Sequence, residues 1–131
     1  MPVAGPDAGS AAAAQPDGVW QPYDEQALQR FAAEGRPVFI DFTAAWCVSC
    51  QVNKRLVLNA DETLQAFQRA NVVLVRADWT RRDATITQAL ARLGRNGVPV
   101  YVLLRPGREP LLLPEILSQR IVREALATLQ P

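Results

Sequence analysis

Residues 38–43, Val-Phe-Ile-Asp-Phe-Thr, form a nearly continuous apolar run of strand length. A strand that is apolar at successive positions has to be covered on both faces, which is typical of a central strand between helices. Two similar runs follow at residues 72–77 and 100–104, and stretches of helical spacing separate them. This alternation predicts an α/β fold with a parallel sheet and helices on both faces. Pro106-Gly107 predicts a turn that returns residues 111–113 as an antiparallel hairpin partner.

The stretches between these strands predict helices, because apolar residues recur there three and four positions apart. Several begin at an aspartate that can cap a helix, and two end at a glycine. The predicted helices are one from Asp24 to Gly35, one that opens at the first cysteine and carries Val48, Val52 and Leu56, one capped by Asp61, one from Asp83 to Gly94, and one over residues 118–129.

The composition is that of a soluble globular domain, with 49% apolar and 21% charged residues among 131. A net charge of +1 gives no reason to propose a nucleic acid or an anionic membrane as a partner. Residues 1–18 are Ala, Gly, Pro and polar without periodicity, which predicts a disordered linker or an artificial leader. We expect residues 19–131 to form one domain. The start of the chain lacks the basic and apolar regions of a signal peptide.

The chain has two cysteines, Cys47 and Cys50, and no histidine. They follow a predicted strand and open a predicted helix, where backbone N–H groups and the helix dipole favour a thiolate. Cys47 is therefore predicted to be the nucleophile. Cys50, one turn further along and more buried, would attack the mixed disulfide at Cys47 and release the reduced partner.

Two other interpretations of the Cys47–Cys50 pair remain open. Zinc takes about four ligands, so a metal-bridged site would need a second copy of the chain, because this one offers two cysteines and no histidine. The pair could also be an inert structural disulfide, although closing so short a loop stabilises little.

Asp41 interrupts the apolar run of residues 38–43 six positions before Cys47. A buried carboxylate is costly unless it has a partner. One interpretation makes Asp41 a catalytic residue, the proton acceptor for Cys50. The other is structural, with the carboxylate held by Lys54 or by backbone donors.

Pro99 immediately precedes the run at residues 100–104. A trans proline is tolerated at a strand start. A cis Pro99 beside the cysteines would instead leave the Val98 backbone to pair with an extended substrate segment. Trp46 precedes Cys47, and it either shields the thiols and contributes to substrate docking or packs at the end of the strand.

The segment Asp-Phe-Thr-Ala-Ala-Trp-Cys-Val-Ser-Cys at residues 41–50, followed later by Val98-Pro99, resembles the thioredoxin superfamily over about residues 20–130. A finer resemblance is to the C-terminal domain of DsbD-type thiol:disulfide interchange proteins and their ScsB-type relatives. It is carried by the Val-Ser pair between the cysteines, by Ala-Asp-Trp-Thr at residues 77–80, and by Leu-Pro-Glu-Ile-Leu at residues 113–117.

This resemblance implies a thioredoxin-like fold with a central mixed sheet, and a cis Pro99. It implies a periplasmic, soluble domain of an inner-membrane protein that receives electrons from the membrane domain. The electrons then pass to the N-terminal domain of the same protein or to other periplasmic protein thiols and disulfides. We expect a monomer without a dissociable cofactor or a metal, and the rivals are a stand-alone oxidase or isomerase and a non-catalytic binding module.

One position departs from the DsbD pattern. Some of these domains carry a glutamate four residues after the second cysteine, where this chain has Lys54. Residues four apart share a helix face, so a cation near Cys50 or Asp41 would favour the thiolate. The alternative is a solvated lysine on the helix surface.

Overall fold

The computed structural model describes residues 18–130, so the predicted linker lies outside the described residues apart from Gly18. Within that range the strands are β1 (Gln21–Pro22), β2 (Val38–Thr43), β3 (Val73–Asp78), β4 (Val100–Leu104) and β5 (Leu111–Leu113). The helices are α1 (Glu25–Ala33), α2 (Val48–Asn53), α3 (Asp61–Arg69), α4 (Ala84–Arg92) and α5 (Gln119–Ala127). A π-helical turn, Lys54–Leu58, continues α2.

The five strands form one mixed sheet in the order β1-β3-β2-β4-β5. β2 and β3 are parallel, as the alternation predicts, but the prediction of a parallel sheet is wrong for β4, which runs antiparallel to β2. The physical reason is that α4 brings the chain back to the same end of the sheet at which β3 finishes. Thr43 is opposite Asp78 and Phe42 is opposite Val100, so β3 ends and β4 begins beside the same end of β2.

Each face of the sheet is covered by its own apolar cluster, because side chains alternate between the faces along a strand. On one face Phe39 and Tyr101 pack with Phe67 of α3 and Val122 of α5. On the other face Val38, Ile40 and Phe42 pack with Ile86 and Leu90 of α4 and with Leu28 and Phe31 of α1. The predicted arrangement, with helices on both faces of a thioredoxin-like sheet, is confirmed.

The predicted helix starts are right at two of three aspartates. Asp24 accepts a hydrogen bond from the Gln26 N–H (2.9 Å), and Asp83 caps α4 in the same way. The prediction for Asp61 is wrong, because Ala60 is the capping residue and Asp61 is the first residue of α3. An acidic side chain in the first turn still favours the helix through its dipole.

The predicted ends of α1 and α4 are confirmed. Gly35 and Gly94 have φ of +73° and +76°, a left-handed conformation that terminates helices and that glycine adopts without steric cost. In the part of the chain described here, none of the helices is both long and apolar enough to cross a bilayer.

Candidate functional site

The two cysteines lie where β2 leads into α2. Cys47 is the N-cap residue of α2, and Cys50 lies in its first turn. They form a disulfide with their Cα atoms 5.3 Å apart. Cys47 is 8% exposed and Cys50 is fully buried, so of the two cysteines only Cys47 has any surface that a partner can contact. This is the arrangement that the sequence predicts for a nucleophile and a resolving thiol.

The start of α2 supplies a donor to the Cys47 sulfur. The Cys50 N–H donates to Cys47 Sγ at 3.2 Å. The first N–H groups of a helix lack acceptors within the helix, and they carry its positive dipole end. After reduction of the disulfide, the same donor favours a thiolate at Cys47.

The Val98–Pro99 peptide bond is cis, as the resemblance to thioredoxins predicts. Pro99 is buried, and Val98 is half-buried and packs against Ala44, Cys47 and Cys50. The structure therefore brings the predicted residues Cys47, Cys50 and Val98 together in one cluster, with Pro99 next to it at the start of β4.

Trp46 is 47% exposed beside Cys47, and the segment after β3 holds its ring. Its Nε1–H donates to the Thr80 carbonyl at 3.0 Å, and the Arg82 guanidinium lies 4.6 Å from the ring centroid. The Ala45 N–H donates to Thr80 Oγ1 at 2.8 Å. Trp46 is thus a fixed, exposed aromatic surface next to the cysteines, and it is not packed away at the strand end.

Asp41 is fully buried in the middle of β2, and Arg76 of β3 is opposite it in the parallel ladder. Arg76 Nε donates to Asp41 Oδ2 at 3.0 Å. The partner shown for Asp41 is therefore Arg76, which sequence reasoning missed. The signal was present, because Arg76 is the lone cation in the apolar run at residues 72–77 just as Asp41 is the lone anion in its own run.

A hydrogen bond between Asn53 of α2 and Tyr101 of β4 connects α2 to the part of the sheet that holds Asp41 and Arg76. Tyr101 is opposite Asp41 in the antiparallel ladder, and its hydroxyl accepts a hydrogen bond from Asn53 Nδ2 at 2.8 Å. Asn53 Nδ2 also donates to the Glu115 carbonyl at 2.8 Å, and Asn53 Oδ1 accepts from the Leu117 N–H at 3.2 Å. Burial and the nearby Asp41 carboxylate raise the pKa of Tyr101 above its ordinary value. Sequence reasoning missed Asn53, since the apolar spacing in α2 drew attention to other positions.

Apolar residues at helical spacing in α2 and its π-helical turn face outward. Val48 is 76% exposed and Leu56 is 62% exposed, while Cys50 and Asn53 supply the buried face. Val48, Val52 and Leu56 line a groove of about 200 Å³. The opposite wall of this groove includes Ile116, which is 70% exposed. The spacing therefore marks an exposed apolar surface beside the cysteines instead of a core face.

Lys54 opens the π-helical turn and is half-buried. The cause lies in its position, one residue after the buried Asn53. In the described part of the chain, no group of three or more His, Cys, Asp or Glu side chains is placed to hold a metal ion.

A family model described as thioredoxin-like matches residues 19–106. Among curated proteins, DsbD of Ralstonia nicotianae is 37% identical over 78 residues, which cover 60% of this chain and 12% of that protein. DsbD of Pseudomonas fluorescens is 33% identical over 98 residues, which cover 75% of this chain and 16% of that protein. The chain thus spans only 12% to 16% of the length of these two relatives.

Solved structures show the same fold. The reduced C-terminal domain of Neisseria meningitidis DsbD superposes with a TM-score of 0.68 at 22% identity, covering 84% of this chain and all of that chain. A thioredoxin from Thermus thermophilus superposes with a TM-score of 0.65 at 20% identity, covering 84% of this chain and 86% of that one. The chain belongs to the thioredoxin-like family, and its relatives within that family are DsbD-type thiol:disulfide interchange proteins.

Proposed function

We propose that this domain is a protein-disulfide reductase that works through the Cys47–Cys50 dithiol. The observation that carries the proposal is the disulfide at the start of α2, with Cys47 slightly exposed, Cys50 fully buried, and a cis proline alongside. The DsbD-type relatives are named thiol:disulfide interchange proteins, which supports thiol–disulfide chemistry at this pair.

The reaction takes two thiol exchange steps. The Cys47 thiolate attacks one sulfur of a partner disulfide, which forms a mixed disulfide and releases the other partner sulfur as a thiolate that takes up a proton. Cys50 then loses its proton and attacks Cys47 Sγ, so that the Cys47–Cys50 bond forms and the second partner thiol leaves. The partner gains two electrons from the domain and two protons, one from Cys50 and one from water, because Cys47 enters the reaction as a thiolate.

We assign to the surrounding residues the roles that the sequence predicts. Asp41 accepts the Cys50 proton, since it lies on the sheet face that α2 covers. Trp46 and Val98 contact the partner, the first through its exposed ring and the second through its backbone next to the cis Pro99. The exposed side chain of Val48 extends the same contact surface.

The larger setting follows from the relatives. DsbD is named a thiol:disulfide interchange protein, and this chain corresponds to 12% to 16% of its length. We propose that the chain is a periplasmic, monomeric domain of such an inner-membrane protein. Electrons reach it from the membrane domain and leave to the N-terminal domain or to other periplasmic proteins. Neither a metal nor a dissociable cofactor takes part.

Trapping of the mixed disulfide tests the two thiol roles. A Cys50→Ser variant should accumulate a stable adduct with a disulfide-containing protein, because the resolving thiol is gone. Its matched control, Cys47→Ser in the same helix, should form little adduct, because Cys50 is buried. Mass spectrometry reads out both, and equal adduct formation by the two variants would contradict the assignment of Cys47 as the nucleophile.

The reduction potential separates the reductase from its rivals. The reference points are about −270 mV for thioredoxin and about −120 mV for a strong oxidant. A value at or below about −200 mV supports the reductase, whereas a value near the oxidising end favours the oxidase or isomerase. A pair that does not cycle between dithiol and disulfide would indicate the non-catalytic binding module, which the comparisons do not favour.

A further inference from the structure

The segments that surround Cys47 carry no charged residue of their own. Residues 42–53 include both cysteines, and residues 96–104 include the cis Pro99. Neither segment contains Asp, Glu, Lys or Arg. A charge that acts on a partner at this surface therefore has to come from another segment of the chain.

The cation that the structure places at this surface is Arg82, in the segment between β3 and α4. Its guanidinium carbon lies 4.6 Å from the ring centroid of Trp46 and 5.4 Å from that of the buried Trp79. A guanidinium over an indole face is attracted by the ring quadrupole. The Trp46 ring is itself held by its hydrogen bond to the Thr80 carbonyl. The exposed charge of Arg82 is therefore held beside the residue that precedes Cys47.

The backbone at Arg82 shows that closing the turn does not itself call for an arginine. Its φ is +50°, a left-handed conformation that glycine and asparagine adopt at lower cost. Its N–H donates to the Trp79 carbonyl at 2.9 Å, a bond that either of those residues would also make. What the arginine side chain adds is the contact with the two rings and a positive charge beside them.

The charge of Arg82 is available to a partner. Among residues 18–130, Arg82 makes no ion pair with a carboxylate. The two acidic residues of its own segment bind backbone donors, since Asp78 accepts from the N–H two residues further on at 3.0 Å and Asp83 caps α4. The donors of a guanidinium lie in its own plane and bind carboxylate oxygens in pairs. A ring against one face leaves those edges open.

We propose that Arg82 is a specificity-determining residue that selects partner segments with a carboxylate close to their disulfide. The inference rests on the proposed disulfide reduction and names the kind of partner it serves. That partner is an extended protein segment with Asp or Glu next to the cysteine that Cys47 attacks. The carboxylate binds the Arg82 guanidinium while the segment lies across Trp46, which brings the partner sulfur to Cys47.

Three peptides with an intramolecular disulfide test this selection. They share one sequence and differ only beside the first cysteine, which is followed by Glu, Gln or Lys. The reduced domain is mixed with each peptide, and chromatography of acid-quenched samples gives the second-order rate constant of reduction. We expect the ratio of the Glu rate to the Gln rate to be about three times larger in wild type than in Arg82→Gln, the size of an exposed ion pair. The Lys peptide should show the opposite change.

Two variants are matched controls. Arg82→Lys keeps a cation at the same position and should retain most of the wild-type ratio. Arg81→Gln removes the same charge from the exposed neighbour and should leave the ratio as it is in wild type. A displaced Trp46 ring alone would change the rates for both peptides together, so it would not alter the ratio. The same ratio in wild type and Arg82→Gln, or an equal fall in Arg81→Gln, would overturn the inference.

Salt dependence tests the inference in the wild-type domain without any variant. Exposed charges are screened, so the ratio should fall as the salt concentration rises from about 0.05 M to about 0.5 M. Without a cation at the site, the Glu carboxylate would repel the attacking thiolate, and salt would instead raise the ratio; that result would contradict the role of Arg82. A domain that reduces none of the peptides would refute the proposed function as well, whereas reduction with a ratio independent of Arg82 would refute the inference alone.

Discussion

Asn53 ties the active-site helix to two other parts of the chain, and its replacement by alanine should be among the most damaging changes in this domain. The side chain is only 4% exposed. It donates to the Tyr101 hydroxyl and the Glu115 carbonyl, both at 2.8 Å, and accepts from the Leu117 N–H at 3.2 Å. Asn53→Ala removes all three hydrogen bonds at once.

The expected loss of stability in Asn53→Ala depends on whether each former hydrogen-bond partner stays buried or becomes hydrated. Tyr101 and Leu117 are 0% and 7% exposed, so their polar groups stay buried, and each unsatisfied group costs about 1 to 3 kcal/mol. Glu115 is exposed, so its carbonyl regains water and the loss there is about 1 kcal/mol. The sum is about 3 to 7 kcal/mol, a large part of the roughly 5 to 15 kcal/mol that holds such a domain folded.

Urea denaturation of the disulfide-bonded protein, followed by tryptophan fluorescence, measures this loss. Gln51→Ala is a matched control on the same helix, since Gln51 is half-buried and makes one hydrogen bond, to the Ala44 carbonyl at 3.0 Å. That control should lose about 1 kcal/mol. A double-mutant cycle with Tyr101→Phe should give a coupling of about 1 kcal/mol for the Asn53–Tyr101 bond alone.

Hydrogen exchange locates the effect. In Asn53→Ala the Leu117 amide should exchange faster, because it has lost its acceptor. The exchange rates of amides in the β2–β3 ladder should rise only as far as the loss of global stability requires. If Asn53→Ala costs no more than Gln51→Ala, or if the Leu117 amide keeps its protection, then the anchoring role of Asn53 is refuted.

Three further predictions concern residues around this network. Burial and Asp41 raise the pKa of Tyr101 above its ordinary value of 10.0, so its contribution to stability is complete below that pH and is lost as the pH rises beyond it. Unfolding free energies measured upward from pH 10.0 should therefore fall less steeply in Tyr101→Phe, and parallel curves would contradict this. Ser118 Oγ accepts from the Ile121 N–H at 3.1 Å, so Ser118→Ala should destabilise the domain by about 1 kcal/mol in urea, and an unchanged midpoint would count against this cap. Arg82 lies over the Trp46 ring and 5.4 Å from the Trp79 ring centroid, so Arg82→Ser should increase acrylamide quenching of fluorescence, and a Trp46→Phe background should remove the part of the increase that comes from Trp46.

The apolar runs at residues 38–43, 72–77 and 100–104 were sufficient to predict the three main strands, because buried strands leave a strong local signal. The direction of β4 was not predictable in that way, since it depends on where α4 returns the chain. β1 was not predicted from the sequence either, because Gln21 and Pro22 show no apolar alternation and pair only at the edge of the sheet.

For the site, the cysteines and the cis Pro99 could be predicted, since local spacing and a family motif mark them. Asn53 could not, because its partners are 48 or more positions away and only the fold brings them together. Arg76 stands out as the lone cation of its run, but that run alone does not identify Asp41, 35 positions away, as its partner. The outward-facing positions in α2 show the same limit. A helical period identifies a face but not which side of the helix meets the core.

α2 carries Cys50 on one side and forms a wall of the groove with Val48 on the other. Any protein that binds this groove and distinguishes the two redox forms must, by thermodynamic reciprocity, change the reduction potential of the cysteines. A partner that binds the reduced form tenfold more tightly than the oxidised form raises the potential by about 30 mV. Contact with a partner and readiness to give up electrons are therefore one linked equilibrium in this domain, and the same dithiol can hold different potentials on different partners.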